Sequence, residues 1–342
     1  MIETFLKALS ITLTLALFSV PGYMLGKFST KSKSQVGLLS NVLLYVCQPA
    51  IIVNSFCIFS DDELIYISAL NKLSITANFV FVAITATISM IAVAAICKIL
   101  FGKSHDPNTY GVLTFASVFS NCGFMGIPFI RMFCGNSVLS TLYSAVYCVV
   151  FSVLCWTLGI IILGGGVKNI SWKKVLLNPT VIATVYSVTA FFVPQLNLFA
   201  YDAISDLRII PQYIANASVP LSMILIGILF ADLPKKNIFS TGNAYLSGAM
   251  KLIASPVIAL AVSSSATLLL KGLFATNLSD KYAIFVPVAM SAMAPASLVV
   301  AMAEKYADCG EFATAVFYNN SMLSVITIPI IVCALDRIVL YL

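Results

Sequence analysis

The sequence predicts an all-α integral membrane protein of ten transmembrane helices arranged as two inverted five-helix repeats. Three observations carry that prediction: an apolar composition, ten apolar stretches long enough to cross a bilayer, and prolines that recur in the second half near their places in the first. Of the 342 residues, 60% are hydrophobic and 9% charged, with a mean hydropathy of +1.02. Soluble domains run at roughly 45–50% apolar and about 25% charged, so no water-soluble fold fits.

The formal net charge of +6 does not mark a nucleic-acid face, because the basic residues fall singly or in pairs between apolar runs, as in loops. Nine cysteines sit mostly inside apolar runs without a Cys-x-x-Cys, and His105 is the sole histidine. They read as buried small side chains, and no metal or cofactor is expected. The first apolar run follows only Lys7 and lacks a small-residue cleavage site, so it reads as a retained helix rather than a signal peptide.

A membrane helix needs about 20 mostly apolar residues, because each backbone N–H and C=O must bond within its own segment once water is gone. Ten windows qualify: 5–25, 36–58, 73–97, 108–132, 138–163, 178–200, 209–231, 245–270, 283–303 and 313–335. One set of alternating loops holds Lys27, Lys31, Lys33, Lys98, Lys103, Lys168, Lys173, Lys174, Lys235, Lys236 and Lys305. The other side holds fewer cations, Lys7, Lys72, Arg131, Arg208, Lys271, Lys281 and Arg337, together with Asp61, Asp62 and Glu63. Positive loops stay cytoplasmic, so both termini are expected on the extracytoplasmic side of a plasma or inner membrane. Lys251, inside the eighth window but near its cytoplasmic end, is expected to snorkel.

Proline inside a span removes a donor and crowds the preceding turn, so it marks bends. Pro21, Pro49 and Pro128 are followed by Pro194, Pro220 and Pro295 at offsets of 173, 171 and 167 residues, each near half the chain. Residues 1–164 and 178–342 thus read as two repeats joined by a cytoplasmic linker, 165–177. Five spans in each half force the second copy to enter from the opposite side. Inverted repeats with paired broken helices place a transporter's solute site at the repeat interface, and a secondary transporter is the expected function. No His-Glu-x-x-His and no pair of membrane aspartates supports an intramembrane enzyme, and no soluble output domain supports a receptor.

The strongest interruption is Ser120-Asn121-Cys122-Gly123-Phe124-Met125-Gly126-Ile127-Pro128 in the fourth span. Two glycines, an asparagine and a proline within two turns unwind a helix and free amides that protein, water or ligand must satisfy. Its mate in the ninth span is Met290-Ser291-Ala292-Met293-Ala294-Pro295-Ala296-Ser297. Half-helix ends facing such a gap suit a carboxylate or phosphate. Asn121, Gly123, Gly126, Pro128, Ala294, Pro295, Ala296 and Ser297 are the expected substrate-binding residues, joined by Asn54, Ser218 and Ser222 on spans 2 and 7. Asn319 and Asn320 in the tenth span must face protein or a cavity.

With these residues the chain resembles the auxin efflux carrier family, which includes PIN-type plant auxin carriers and bacterial permeases assigned to malate or malonate. The segments that carry the resemblance run from Asn41 to Pro49, from Asn121 to Pro128, through Asn178-Pro179, from Ser218 to Ser222 with Gly227, from Pro295 to Tyr306, and from Ser324 to Pro329. The resemblance implies the crossover fold of sodium/proton antiporters and bile-acid symporters. Helices 1, 2, 6 and 7 would form a scaffold, through which two copies pair as a homodimer, and helices 3–5 and 8–10 a transport domain. Broken helices 4 and 9 would cross at Pro128 and Pro295, and Asn121 would hold the substrate carboxylate. The chain lacks the long central loop of plant carriers, which favours a compact microbial permease. The expected cargo is a small organic anion moved by elevator-like or rocking exchange. No Asp, Glu or His lies near the centre of any span, so uniport is expected ahead of sodium-coupled symport.

Overall fold

The computed structural model describes residues 2–28, 33–102, 106–164, 173, 177–231, 242–274 and 280–340. Most of the 165–177 linker, His105 and Lys31, Lys103, Lys168, Lys174, Lys235 and Lys236 lie outside the described residues. Among the described residues, seven helices are long and apolar enough to cross a membrane: Ile2–Phe28, Val36–Cys57, Lys72–Phe101, Val138–Trp156, Ser205–Ala231, Gly242–Leu270 and Gly310–Val339. Their apolar faces point outward as well as inward. On Lys72–Phe101, Ile84, Ile88 and Ile91 are 52%, 49% and 49% exposed, a stripe at helical spacing that only a lipid environment would favour. Inside the helices, hydroxyls bond their own backbone, as Thr85 does to the Phe81 carbonyl at 2.8 Å and Ser89 to that of Thr85 at 2.6 Å.

The remaining apolar segments are shorter than the sequence windows suggest. The 108–132 window is divided into Pro107–Val118 and Cys122–Phe133, and the 283–303 window into Lys281–Ser291 and Leu298–Tyr306. The 178–200 window yields only Pro179–Phe192, because the residue before Pro194 leaves the helical region and short 3-10 turns follow. Asp61–Ala69 is a separate helix closed by a capping box between Ser60 and Glu63, and none of its residues is buried. It absorbs the acidic cluster that the sequence places in a loop.

Two neighbourhoods of packing surround these breaks. Ser19–Phe28 lies along Ile209–Ala231, and Pro179–Phe192 lies against Gln48–Cys57. The first of these contacts is backbone to backbone. A Cβ on Gly22 would stand 2.1 Å from the Ile224 carbonyl oxygen, and one on Gly227 would stand 2.0 Å from that of Ser19. Reciprocal glycines therefore set how closely the two helices approach. In the second neighbourhood Lys72–Phe101, Pro107–Val118, Val138–Trp156, Ser255–Phe274, Lys281–Ser291 and Gly310–Val339 pack on one another. Phe79 bridges the two groups, edge-on to Phe56 at 5.9 Å and to Tyr143 at 6.0 Å.

Three helices widen by one residue at a corresponding place. The π-helical turns Leu43–Cys47, Cys122–Gly126 and Met250–Ala254 close on the N–H groups of Gln48, Ile127 and Ser255. In each case the next residue is proline: Pro49, Pro128 and Pro256. A proline lacks the N–H and crowds the carbonyl four residues back, and widening the preceding turn relieves that clash while swinging side chains out of register. Pro220, by contrast, sits inside the regular helix Ile209–Ala231 without a π turn, so this proline and Pro49 are related in sequence but not in local geometry.

Candidate solute-binding site

The two interruptions meet. Ser120 and Pro295 face each other in an isolated antiparallel bridge. The Asn121 N–H donates to the Ala294 carbonyl at 2.8 Å, and the Ala296 N–H donates to that of Phe119 at 2.9 Å. In a pair of this type the facing residues donate nothing to each other, so a proline fits where its missing N–H costs no bond. The position opposite Pro295 is therefore Ser120, and Pro128 is not the crossing residue that the resemblance implies. Pro128 instead occupies the first turn of Ile127–Phe133, where a proline needs no donor. The register is marked at the far ends too, since Asp106 caps Pro107–Val118 and Asp280 caps Lys281–Ser291.

Past the bridge, two helices begin. Asn121 turns the chain with φ −74 and ψ 58 and precedes Cys122–Phe133, while Ser297 precedes Leu298–Tyr306. The first amides of a helix have no partner within it, and its start carries partial positive charge. Both starts line one narrow pocket with 30 Å³ of free space, together with Gln48, Ser120 and Gly123. That volume holds a water or two and no solute. Asn121 is 4% exposed, and its Nδ2 is buried with no protein partner. A buried amide donor left open carries a desolvation cost of about 1–3 kcal/mol, which a ligand oxygen would remove.

Behind the bridge lies Lys251. It is fully buried, on the π turn before Pro256, and its Nζ donates to Ser120 Oγ and to the Val118 carbonyl. The expectation that it snorkels is overturned: the π turn directs its side chain inward, onto the bridge. Neighbouring polar groups complete a buried network, with Asn320 Nδ2 3.3 Å from Ser247 Oγ and Ser247 Oγ 3.3 Å from Ser117 Oγ. No ion pair engages Lys251 among the described residues. The sequence signal that could have found it is the proline five residues on, the same spacing that separates Gly123 from Pro128.

A second, wider cavity of 220 Å³ opens on the other side of Gly123, which lines both. Asn54, Ser55, Pro128, Arg131 and Asn216 are among its walls. Along Val36–Cys57 the narrow pocket touches Ser40, Leu43, Leu44 and Gln48, and the wide one touches Ile51, Asn54 and Ser55. At 1.5 Å per residue the two sets are successive stretches of one helix, about 20 Å in all. The two cavities thus flank Gly123 along one helix.

Residues 9–167 match the model of a family described as membrane transport protein. That match indicates a membrane transporter. It ends before the second break. A search of curated proteins found none that matches the chain.

Of the residues expected from sequence, Asn121, Gly123, Ala296 and Ser297 line the narrow pocket, and Asn54, Gly123 and Pro128 the wide cavity. Ala294 and Pro295 build the bridge. Gly126 lines neither cavity: a Cβ there would meet Met290 Sδ at 2.4 Å, so it is a packing position. Ser218 and Ser222 bond to carbonyls of their own helix, at 2.8 and 2.9 Å, and line neither cavity. Asn319 and Asn320 are buried within protein. Sequence reasoning missed Gln48, Ser120, Lys251, Arg131 and Asn216.

Proposed function

We propose that the chain is a secondary transporter that moves a small organic anion by alternating access around the bridge. The cargo would be a mono- or dicarboxylate such as malate or malonate, or an auxin-like carboxylate. The observation that carries this reading is the convergence of two helix starts, the open Asn121 amide and the Ser120–Lys251 contact on one pocket with no acidic residue in its lining. The two helix starts and the open amide there favour an anion. Cavities on both sides of Gly123 suit a solute handed from one face to the other, and the two packing neighbourhoods suit a scaffold and a moving body.

The reading includes a crossover fold of ten spans in two inverted repeats, with both termini extracytoplasmic in the cell membrane and a homodimer through the scaffold helices. Lys251 Nζ stands against the bridge in the place a coupling cation would take, so flux is expected without added sodium. The test is uptake of labelled malonate, malate and indole-3-acetate into proteoliposomes holding the full chain, with sodium or choline as the only cation outside. Uptake of one carboxylate that is equal in both media supports the proposal. A strict sodium requirement would favour the sodium-coupled symporter, and no uptake of any of the three would refute carboxylate transport. Membrane-impermeant thiol reagents that reach a cysteine at Lys173 but not at Asp62 would reverse the orientation.

A further inference from the structure

The wide cavity holds an arginine that the anion pocket does not use. Arg131 lies three residues past Pro128 on Ile127–Phe133, and its guanidinium has no hydrogen bond or ion pair among the described residues. No acidic side chain lines the cavity; its other polar walls are Asn54, Ser55, Asn136 and Asn216. A charge that lines a cavity of a membrane protein without a counter-ion suits a partner that comes and goes.

The surrounding structure holds that arginine in place. Lys7 Nζ donates to the Phe133 carbonyl at 2.8 Å and stands 5.5 Å from the Phe133 ring, tying down the carboxyl end of the short helix. The Arg131 carbonyl accepts the Asn136 N–H at 2.7 Å, closing a turn in which Gly135 and Asn136 both take positive φ, 65° and 59°. For Asn136 this is a left-handed conformation that side chains seldom adopt, kept here at the cavity wall. The volume, 220 Å³, equals the liquid share of about seven waters at ~30 Å³ each, enough for a small carboxylate and part of its hydration.

We propose that this cavity is a second anion subsite, in which Arg131 grips the solute's carboxylate in a two-pronged contact on its way to or from the bridge, with Asn54 and Asn216 supplying amide donors. The subsite rests on the organic-anion reading. It adds a distinct station on the other side of Gly123 from the Asn121 pocket. Its chemistry selects planar oxyanions, because the guanidinium fork matches a carboxylate in a way that a lysine ammonium does not.

The test reads the cavity's potential and its occupancy directly. A thiol placed by Asn216→Cys in the full chain, in nanodiscs, is labelled with an anionic sulfonatoethyl and a cationic trimethylammonioethyl methanethiosulfonate, the parent chain giving the background from native thiols. The anionic reagent is expected to react several-fold faster relative to the cationic one than it does after Arg131→Gln, and 10 mM malonate is expected to slow labelling only when Arg131 is present. Arg131→Lys is expected to keep the charge preference and lose the malonate protection. Equal reagent ratios with and without Arg131, or a preference that malonate never modulates, overturns the subsite. If that happens while Asn121→Ala still abolishes malonate flux, the transporter reading survives. If Arg131 governs labelling and protection but no carboxylate crosses the membrane, the subsite stands and the transporter reading falls.

Discussion

The two breaks meet in one bridge, yet they are built from different chemistry. The first, Phe119–Asn121, carries Ser120 and Asn121 and runs into a π turn with two glycines. The second, Ala292–Ser297, is alanine, methionine and proline until its last residue, and its Ala294 and Ala296 contribute backbone to the bridge. Lys251 reinforces the asymmetry by bonding to Ser120, in the first break. The two breaks are thus not equivalent at the bridge. On the proposed reading, one break supplies the polar side chains that recognise solute, and the other supplies the backbone against which they are held.

The largest effect is expected at Asn121. Asn121→Ala removes the open amide and leaves the bridge's backbone bonds in place. Loss of one or two hydrogen bonds to a charged ligand, about 1.5–3 kcal/mol each, predicts a fall in carboxylate affinity of roughly 10- to 100-fold or more. Flux against concentration in proteoliposomes measures it. Unchanged flux and affinity would remove the first break from recognition.

Lys251→Met comes next. At an effective dielectric of ~20 a nearby unit charge contributes on the order of 2 kcal/mol to an anion's binding, or roughly 30-fold in affinity. Methionine keeps the length of the buried stem, so thermal stability in detergent should hold while affinity drops. A variant that loses stability but binds as before would make Lys251 a packing element. The residue also marks where sequence reading fails. Hydropathy windows treat a lysine near a span's end as interfacial, and nothing in the window records that the turn before Pro256 is widened and directs the side chain inward.

Pro295→Ala should do much less than either. The bridge uses the N–H groups of Asn121 and Ala296 and the carbonyls of Phe119 and Ala294, so the proline ring contributes rigidity alone. Replacement is expected to change affinity by less than about threefold, with a small loss of stability from the freer unfolded chain. A collapse of binding would show that the second break recognises solute after all. The difference between the breaks also governs what was legible. Asn121 through Pro128 stands out because glycine, asparagine and proline are all costly in a span. The second break announces itself only through Pro295, and matching that residue to Pro128 by sequence offset gave the wrong register. Backbone pairing is blind to side-chain identity, so Ser120 could not be found as its partner from the sequence.

The smallest effects lie at the outer ends of the two interrupted helices, where an aspartate caps each one. Asp106 is held below the usual carboxylate range, chiefly by hydrogen bonds from the Thr109 hydroxyl and backbone N–H. Burial pushes Asp280 above it, only partly offset by the Tyr282 N–H and by Lys281. A lowered carboxylate stabilises the fold when ionised, and that contribution fades as pH falls through its folded value; a raised one favours the fold when protonated, and that contribution fades as pH rises. Asp106→Asn should therefore melt below the parent at pH 7, with the gap narrowing towards pH 4. Asp280→Asn should melt at or above the parent at pH 7, because the neutral amide avoids the buried charge while keeping an acceptor for the cap. Melting curves in detergent across that range test both. Gaps of the same sign for the two variants would mean that the helices entering the two breaks are held alike, and that the asymmetry begins only at the bridge.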